Sequence, residues 1–222
     1  MGGITFFWFL EGALPLFRFE YNKWKHALPN LFFTGTTIVV NFAFAFILLA
    51  SADWVAQNDI GIINWLPEIP LWLYVLLGIL LLDFFGAYLA HFVEHKIPPL
   101  WMVHLVHHTD HKVDTTTANR HHPIESMIRF VFTLIGVFVV GAPIGIVMLY
   151  QSLSLVATQF SHANIKLHKT LDYIVSFILI SPDMHKIHHH YQLPYTRTKH
   201  TIVYQNRCCG KSRKFWWGIS EY

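Results

Sequence analysis

The sequence predicts an all-α, multi-span helical membrane protein with a histidine-rich, metal-binding region on the cytosolic side. Three observations carry this. Hydrophobic residues make up 54% of the 222 and charged residues 13%, with a mean hydropathy of +0.39, whereas soluble domains carry about a quarter charged residues. Several apolar runs are long enough to cross a hydrocarbon core of about 30 Å at about 1.5 Å per residue. Sixteen histidines are present, most of them clustered beside the ends of those runs.

Residues 31–51 and 71–90 are the first two predicted spans. Arg18, Lys23 and Lys25 precede the first, and the loop 52–70 carries Asp53, Asp59 and Glu68 without Lys or Arg. By the positive-inside rule the N-terminal side and the chain just after residue 90 are cytosolic. The run 127–160 is too long for one ordinary span and contains Gly141-Ala142-Pro143-Ile144-Gly145. Proline without an amide and glycine with its wide dihedral range predict a tight turn there between two helices. Such a hairpin, whether it crosses fully or is only partly inserted, returns the chain to its starting side, which leaves all the histidine clusters on one side. Residues 171–180 are too short to span and read as an interfacial or buried helix before Ser181-Pro182-Asp183.

One domain, 1–222, is the expectation at this length. The apolar N-terminus lacks a basic region and an A-x-A site and contains Glu11, so it does not read as a cleaved signal peptide, and Phe6 rules out a myristoylation motif. Adjacent Cys208 and Cys209 make no ordinary disulfide framework, which favours a reducing setting. The net charge of +3 is spread thinly, with no basic stripe for nucleic acid.

His91-Phe92-Val93-Glu94-His95 sets two imidazoles at i and i+4, on one helix face. His104-Leu105-Val106-His107-His108 gives i, i+3 and i+4, and the same HxxHH spacing recurs at His185, His188 and His189. Imidazole suits Fe, Cu, Zn and Ni, so ligand type alone does not select the metal. Eight histidines in three motifs, with one or two more from His121, His122, His162 or His168, exceed what one ion can use, which implies two metals. Massed imidazoles beside a membrane are costly to desolvate unless ligated or paired. Of the adjacent pair, His122, preceding Pro123, is the better candidate. His26, His111 and His200 have no motif partner and read as ordinary surface residues, and His190 reads as a hydrogen-bond partner of a ligand. Asp83 lies within an apolar run, eight residues before His91 and on nearly the same face of a regular helix. It reads as a carboxylate that orients a ligand or holds a proton path, or as a helix-end carboxylate reaching the interface. Tyr88 reads as a supporting hydroxyl or an interfacial aromatic.

These residues have a family resemblance. DFFGAYLAHFVEH (83–95), HLVHHTD (104–110), DTTTANRHHPIE (114–125), HANIKL (162–167) and SPDMHKIHHHYQLPY (181–195) resemble, in that order, the fatty acid hydroxylase superfamily, especially its sterol-desaturase-like members. The resemblance covers roughly residues 30–196, with the motifs in about 83–196. It implies a helical membrane anchor topped by a cytosolic cap holding a non-haem di-iron centre. It also implies O2 as co-substrate, an external electron donor supplied by a redox partner protein, and a lipid substrate that is hydroxylated or desaturated. Carried over by motif, the implied ligands are His91, His95, His104, His107, His108, His122, His162, His185, His188 and His189. The chain departs from the family where His168 stands in a usual proline position. It departs again in the tail 197–222, which lacks the family's Asn-Tyr-Gly element and its Trp-Asp and Phe-Gly-Thr ending.

Two other function classes fit part of the pattern. HFVEH also matches the inverted HxxEH zinc motif, with Glu94 as general base of a membrane metalloprotease, which leaves both HxxHH motifs unexplained. A metal transporter or storage protein would concentrate histidine near spans as well, but along a path deep within helices rather than at helix ends.

Overall fold

The computed structural model describes residues 2–190. The readings of His200, of Cys208 and Cys209 and of the tail 197–222 lie outside the described residues. The helices are α1 (Gly2–Ala13), α2 (Lys23–Gln57), α3 (Leu71–Asp83), a π-helical segment Phe84–Leu89, α4 (Ala90–Lys96), α5 (Pro98–His108), α6 (Pro123–Val140), α7 (Ile144–His162), α8 (Lys169–Val175) and α9 (Pro182–His188). Among the described residues no strand forms, and the one isolated bridge is antiparallel, Pro15 with Ile165. Four helical stretches are long and apolar enough to cross a membrane: Lys23–Gln57, Leu71–Lys96, Pro123–Val140 and Ile144–His162. The chain is thus an all-α membrane protein, with the two single spans and the hairpin expected.

The chain divides into two compact units, one from residues 21–109 and 119–158, the other from 2–20, 110–118 and 159–190. In the first, α6 is the central helix, packed against α2, α3, the π segment, α4 and α5. Phe44 of α2 stacks on Phe130 of α6 at 4.6 Å, and Thr37 and Ser126 hydrogen-bond at 3.1 Å. Leu82, Val137, Val140 and Val147 are fully enclosed. In contrast Phe42 and Phe46 of α2 are 83% and 79% exposed, an apolar face that lipid, not water, would cover.

Local chemistry explains the element ends. Asn22 caps α2 by accepting the Lys25 amide at 3.0 Å, so the helix begins eight residues before the predicted span. Pro29 in its second turn removes one amide without ending it. Ile97 precedes Pro98 and is extended, which breaks α4 from α5, because a residue before proline avoids the helical region and proline suits a first turn. Gly141, at φ 82°, ends α6; a Cβ there would fall 2.3 Å from the Ile60 carbonyl oxygen. The loop after α2 covers this end of α6, with the Ile62 and Ile63 amides on the Val139 and Val140 carbonyls.

In the second unit, Phe7 of α1 packs with Ala163 and Ile165. Residues 14–17 pair with the chain after α7: the Leu16 amide donates to the Asn164 carbonyl at 3.1 Å and the Lys166 amide to the Leu14 carbonyl at 2.9 Å. The segment 171–180 holds only the short α8, none of whose residues is buried, and Leu171, Ile174, Phe177 and Ile178 are exposed.

Candidate metal centre

The first unit presents its histidines from α4 and α5, packed neighbours joined at Ile97. Helical spacing aligns His91 with His95 and His104 with His108, and the donor nitrogens of His91, His95 and His104 come within 4.8 Å of one another. His104 Nε2 lies 3.2 Å from His108 Nε2. The His95 ring packs 5.0 Å from Trp101 and 5.1 Å from His108. His107 is buried on the same turn, its ring 5.3 Å from that of His104.

Behind these rings runs a buried ionic network. His104 Nδ1 is 2.8 Å from Glu125 Oε1, and Arg129 donates from Nε to the same oxygen at 3.1 Å and from Nη2 to Glu94 Oε2 at 2.8 Å. Arg129 Nη2 also stands 3.4 Å from His91 Nδ1. A carboxylate on Nδ1 fixes the tautomer that leaves the Nε2 lone pair free to bind a metal, and raises its basicity. Burial, then electrostatic interaction with His108, Arg129, His95 and His121, holds the His104 pKa well below the usual imidazole range, which favours the neutral ring that a ligand must be. Glu94 is fully buried, its Oε2 engaged by Arg129 at 2.8 Å and 3.7 Å from His104 Nδ1.

The second unit presents its histidines from the last turn of α7 and from α9. Ser181 caps α9 by accepting the Met184 amide, and Pro182 occupies the first turn, the role of the Ser-Pro-Asp signal. His185 Nε2 faces His162 Nε2 at 2.9 Å and His189 Nε2 at 3.1 Å, and His188 is fully buried beside them. One imidazole nitrogen offers either one proton or one in-plane lone pair, so His185 Nε2 serves both neighbours poorly by hydrogen bonding alone. Donors about 2.0–2.1 Å from a common ion stand about 2.8–3.4 Å apart at octahedral or tetrahedral angles. The three nitrogens therefore fit a transition-metal ion, and imidazole donors suit iron among others.

Other predicted positions take different places. His122 Nδ1 caps α6, accepting the Ile124 amide at 3.2 Å, because Pro123 holds it at the extended residue before the helix. It is His121 whose ring lies 5.1 Å from His107 and whose Nε2 lies 3.7 Å from Glu125. His168, at the family's proline position, caps α8. The π-helical turn between Asp83 and His91 voids the regular-helix projection that set them on nearly one face. They are eight residues, roughly 12 Å, apart along the axis. Tyr88 stacks in a ladder between Phe84 and Phe92, at 5.6 and 6.1 Å.

The sequence reading missed Arg129, Lys186 and the structural use of Glu11 and Glu125. An arginine inside an apolar run four residues after a glutamate was the available signal for Arg129.

Comparison with known proteins agrees with the histidine architecture. The model of the fatty acid hydroxylase family matches residues 75–210. The ornithine lipid hydroxylase OlsE of Rhizobium tropici is 26% identical over 126 residues, 56% of this chain and 37% of that protein. The chain thus matches little more than a third of its curated relative's length. No solved structure matches.

Proposed function

Because the chain belongs to the fatty acid hydroxylase family, we propose that it is a membrane-bound, O2-dependent lipid hydroxylase holding two non-haem iron ions. The balance is R–H + O2 + 2 e⁻ + 2 H⁺ → R–OH + H2O, with the electrons from an external donor through a redox partner protein. Desaturation of the same lipid is the sister outcome, which the ligand set does not distinguish. The observation that carries the reading is the convergence of the His162, His185 and His189 Nε2 atoms at 2.9 and 3.1 Å, with a separate cluster from His91, His95 and His104.

The bound metal would activate O2 for attack on an unactivated C–H bond. The chain's own residues bind, orient and shield. His91, His95, His104, His107, His108, His162, His185, His188 and His189 are the proposed ligands, with His122 in the set if its Nε2 turns inward. Glu125 holds the His104 ring, and Arg129 holds the carboxylates of both Glu125 and Glu94. Asp83 is proposed to hold a proton on the membrane side, and Tyr88 to support His91 from the preceding turn. The ornithine lipid hydroxylase supports a polar-headed acyl lipid as substrate class, entering from the bilayer, and the Lys and Arg flanks support a cytosolic metal site.

The reading requires the motifs of both units to serve one reaction. Detergent-purified protein should bind about two irons per chain, and His107→Ala and His188→Ala should each abolish lipid oxidation and lower bound iron. The double variant should be scarcely worse than either single one, as for residues acting as a unit. Additive half-losses of iron with partial activity in each single variant would contradict it.

A further inference from the structure

We propose that Glu11 and Lys186 are positioning residues of the His162, His185 and His189 cluster, gripping the backbone of residues 162–164 from α1 and α9 so that the three imidazoles meet. The inference rests on the reading that this cluster binds metal.

The chain leaves α7 at His162, where helix-end carbonyls lack intrahelical donors. Lys186 supplies them: its Nζ donates to the His162 carbonyl oxygen and, at 3.2 Å, to that of Ala163, and a cation suits a helix C-terminus. From the other side, Glu11 Oε1 accepts the Asn164 amide at 2.9 Å and the Thr115 amide at 2.6 Å. Both side chains are buried, Glu11 at 4% and Lys186 at 9% exposure. Charges so buried persist only when paired and hydrogen-bonded. Burial pushes the Lys186 pKa down to about 7, and the carboxylates of Glu11 first, then Asp114, Asp110 and Asp183, act against that fall.

The consequence is geometric. Lys186 lies beside His185 on a helix of only seven residues, so anchoring its Nζ on the His162 carbonyl sets the rotation of α9. His185 and His189, one turn apart, are then turned together toward His162. Glu11 sets the height of the same segment, helped by Asn164, whose side chain accepts the Phe17 amide at 3.0 Å and donates to the Phe17 carbonyl at 2.8 Å. The N-terminal helix, which lies ahead of the family match at 75–210, becomes part of the ligand scaffold.

The test is cobalt(II) titration of the full-length, detergent-solubilised protein, reading affinity and the visible absorption of the bound ion. Glu11→Leu and Lys186→Met should each weaken binding about 10- to 100-fold, as loss of ligand-orienting partners does, and should lose the part of the absorption that His185→Ala loses. Glu11→Gln, which keeps an acceptor oxygen, should fall between wild type and Glu11→Leu. If the singles do not fold, the double variant, with no unpaired buried charge, takes their place and should show the same loss. Wild-type affinity and spectrum in any folded Glu11→Leu, Lys186→Met or double variant would overturn the proposal. So would a double variant that stays unfolded in saturating cobalt(II), since the pair would then serve folding alone. A wild-type protein that binds no cobalt(II) would instead overturn the metal reading of the cluster, and this inference with it.

Discussion

Removing the Glu125 carboxylate should loosen the first unit and its metal together. Oε1 takes His104 Nδ1 at 2.8 Å and Arg129 Nε at 3.1 Å, in a fully buried position. Hydrogen bonds to charged groups contribute about 1.5–3 kcal/mol each. Arg129 is 25% exposed and keeps Glu94 at 2.8 Å, so its share is discounted, and Glu125→Ala should cost about 3 kcal/mol of stability. Glu125→Gln keeps an oxygen for His104 but not the charge, and should cost about 1–2 kcal/mol, roughly the difference between charged and neutral bonds. Glu94 Oε2, at 3.7 Å from His104 Nδ1, is too distant to take over. Without an acceptor on Nδ1, the Nε2 lone pair is neither fixed nor made more basic, and metal affinity at His91, His95 and His104 should fall about 10- to 100-fold. Denaturant unfolding of the metal-free protein gives the first quantity and cobalt(II) titration the second. A folded Glu125→Ala variant with wild-type metal affinity would refute the orienting role, and a stability change within about 0.5 kcal/mol would refute the network.

Glu94→Gln should leave metal content nearly intact and reduce lipid oxidation modestly, because the carboxylate is spent on Arg129; peptide hydrolysis in the wild type, abolished by this change, would instead establish a protease. In a background without Cys208 and Cys209, single cysteines at Thr109 and His190 should both label from the cytosolic face. Labelling from opposite faces of the membrane would end the proposal of a common site.

The local features of the site were legible in the sequence because they are written at short range. HxxxH and HxxHH need only the helical period to bring rings onto one face, and Ser181-Pro182 and His122-Pro123 mark helix starts by backbone chemistry alone. The choice between His121 and His122 was not legible. Pro123 commits His122 to the cap, while His121 is placed by α5, whose His107 ring it meets. The Asp83 alignment failed for a related reason. The expected face requires a regular helix, whereas the π-helical turn occurs where Gly86 approaches Thr133 and Tyr150 so closely that a Cβ would meet their oxygens at 3.0 and 2.9 Å.

By itself the sequence determined the membrane class, the spans and their hairpin, and the histidine motifs at fixed spacings. Hydropathy and period act over a turn or a span and are read one segment at a time. Only the tertiary structure decided what holds those histidines. Arg129 meets Glu94 across 35 residues, and Glu11 meets Asn164 across 153. A charge buried at such a position is stable only because folding delivers its partner there, and no local pattern specifies which distant residue that will be.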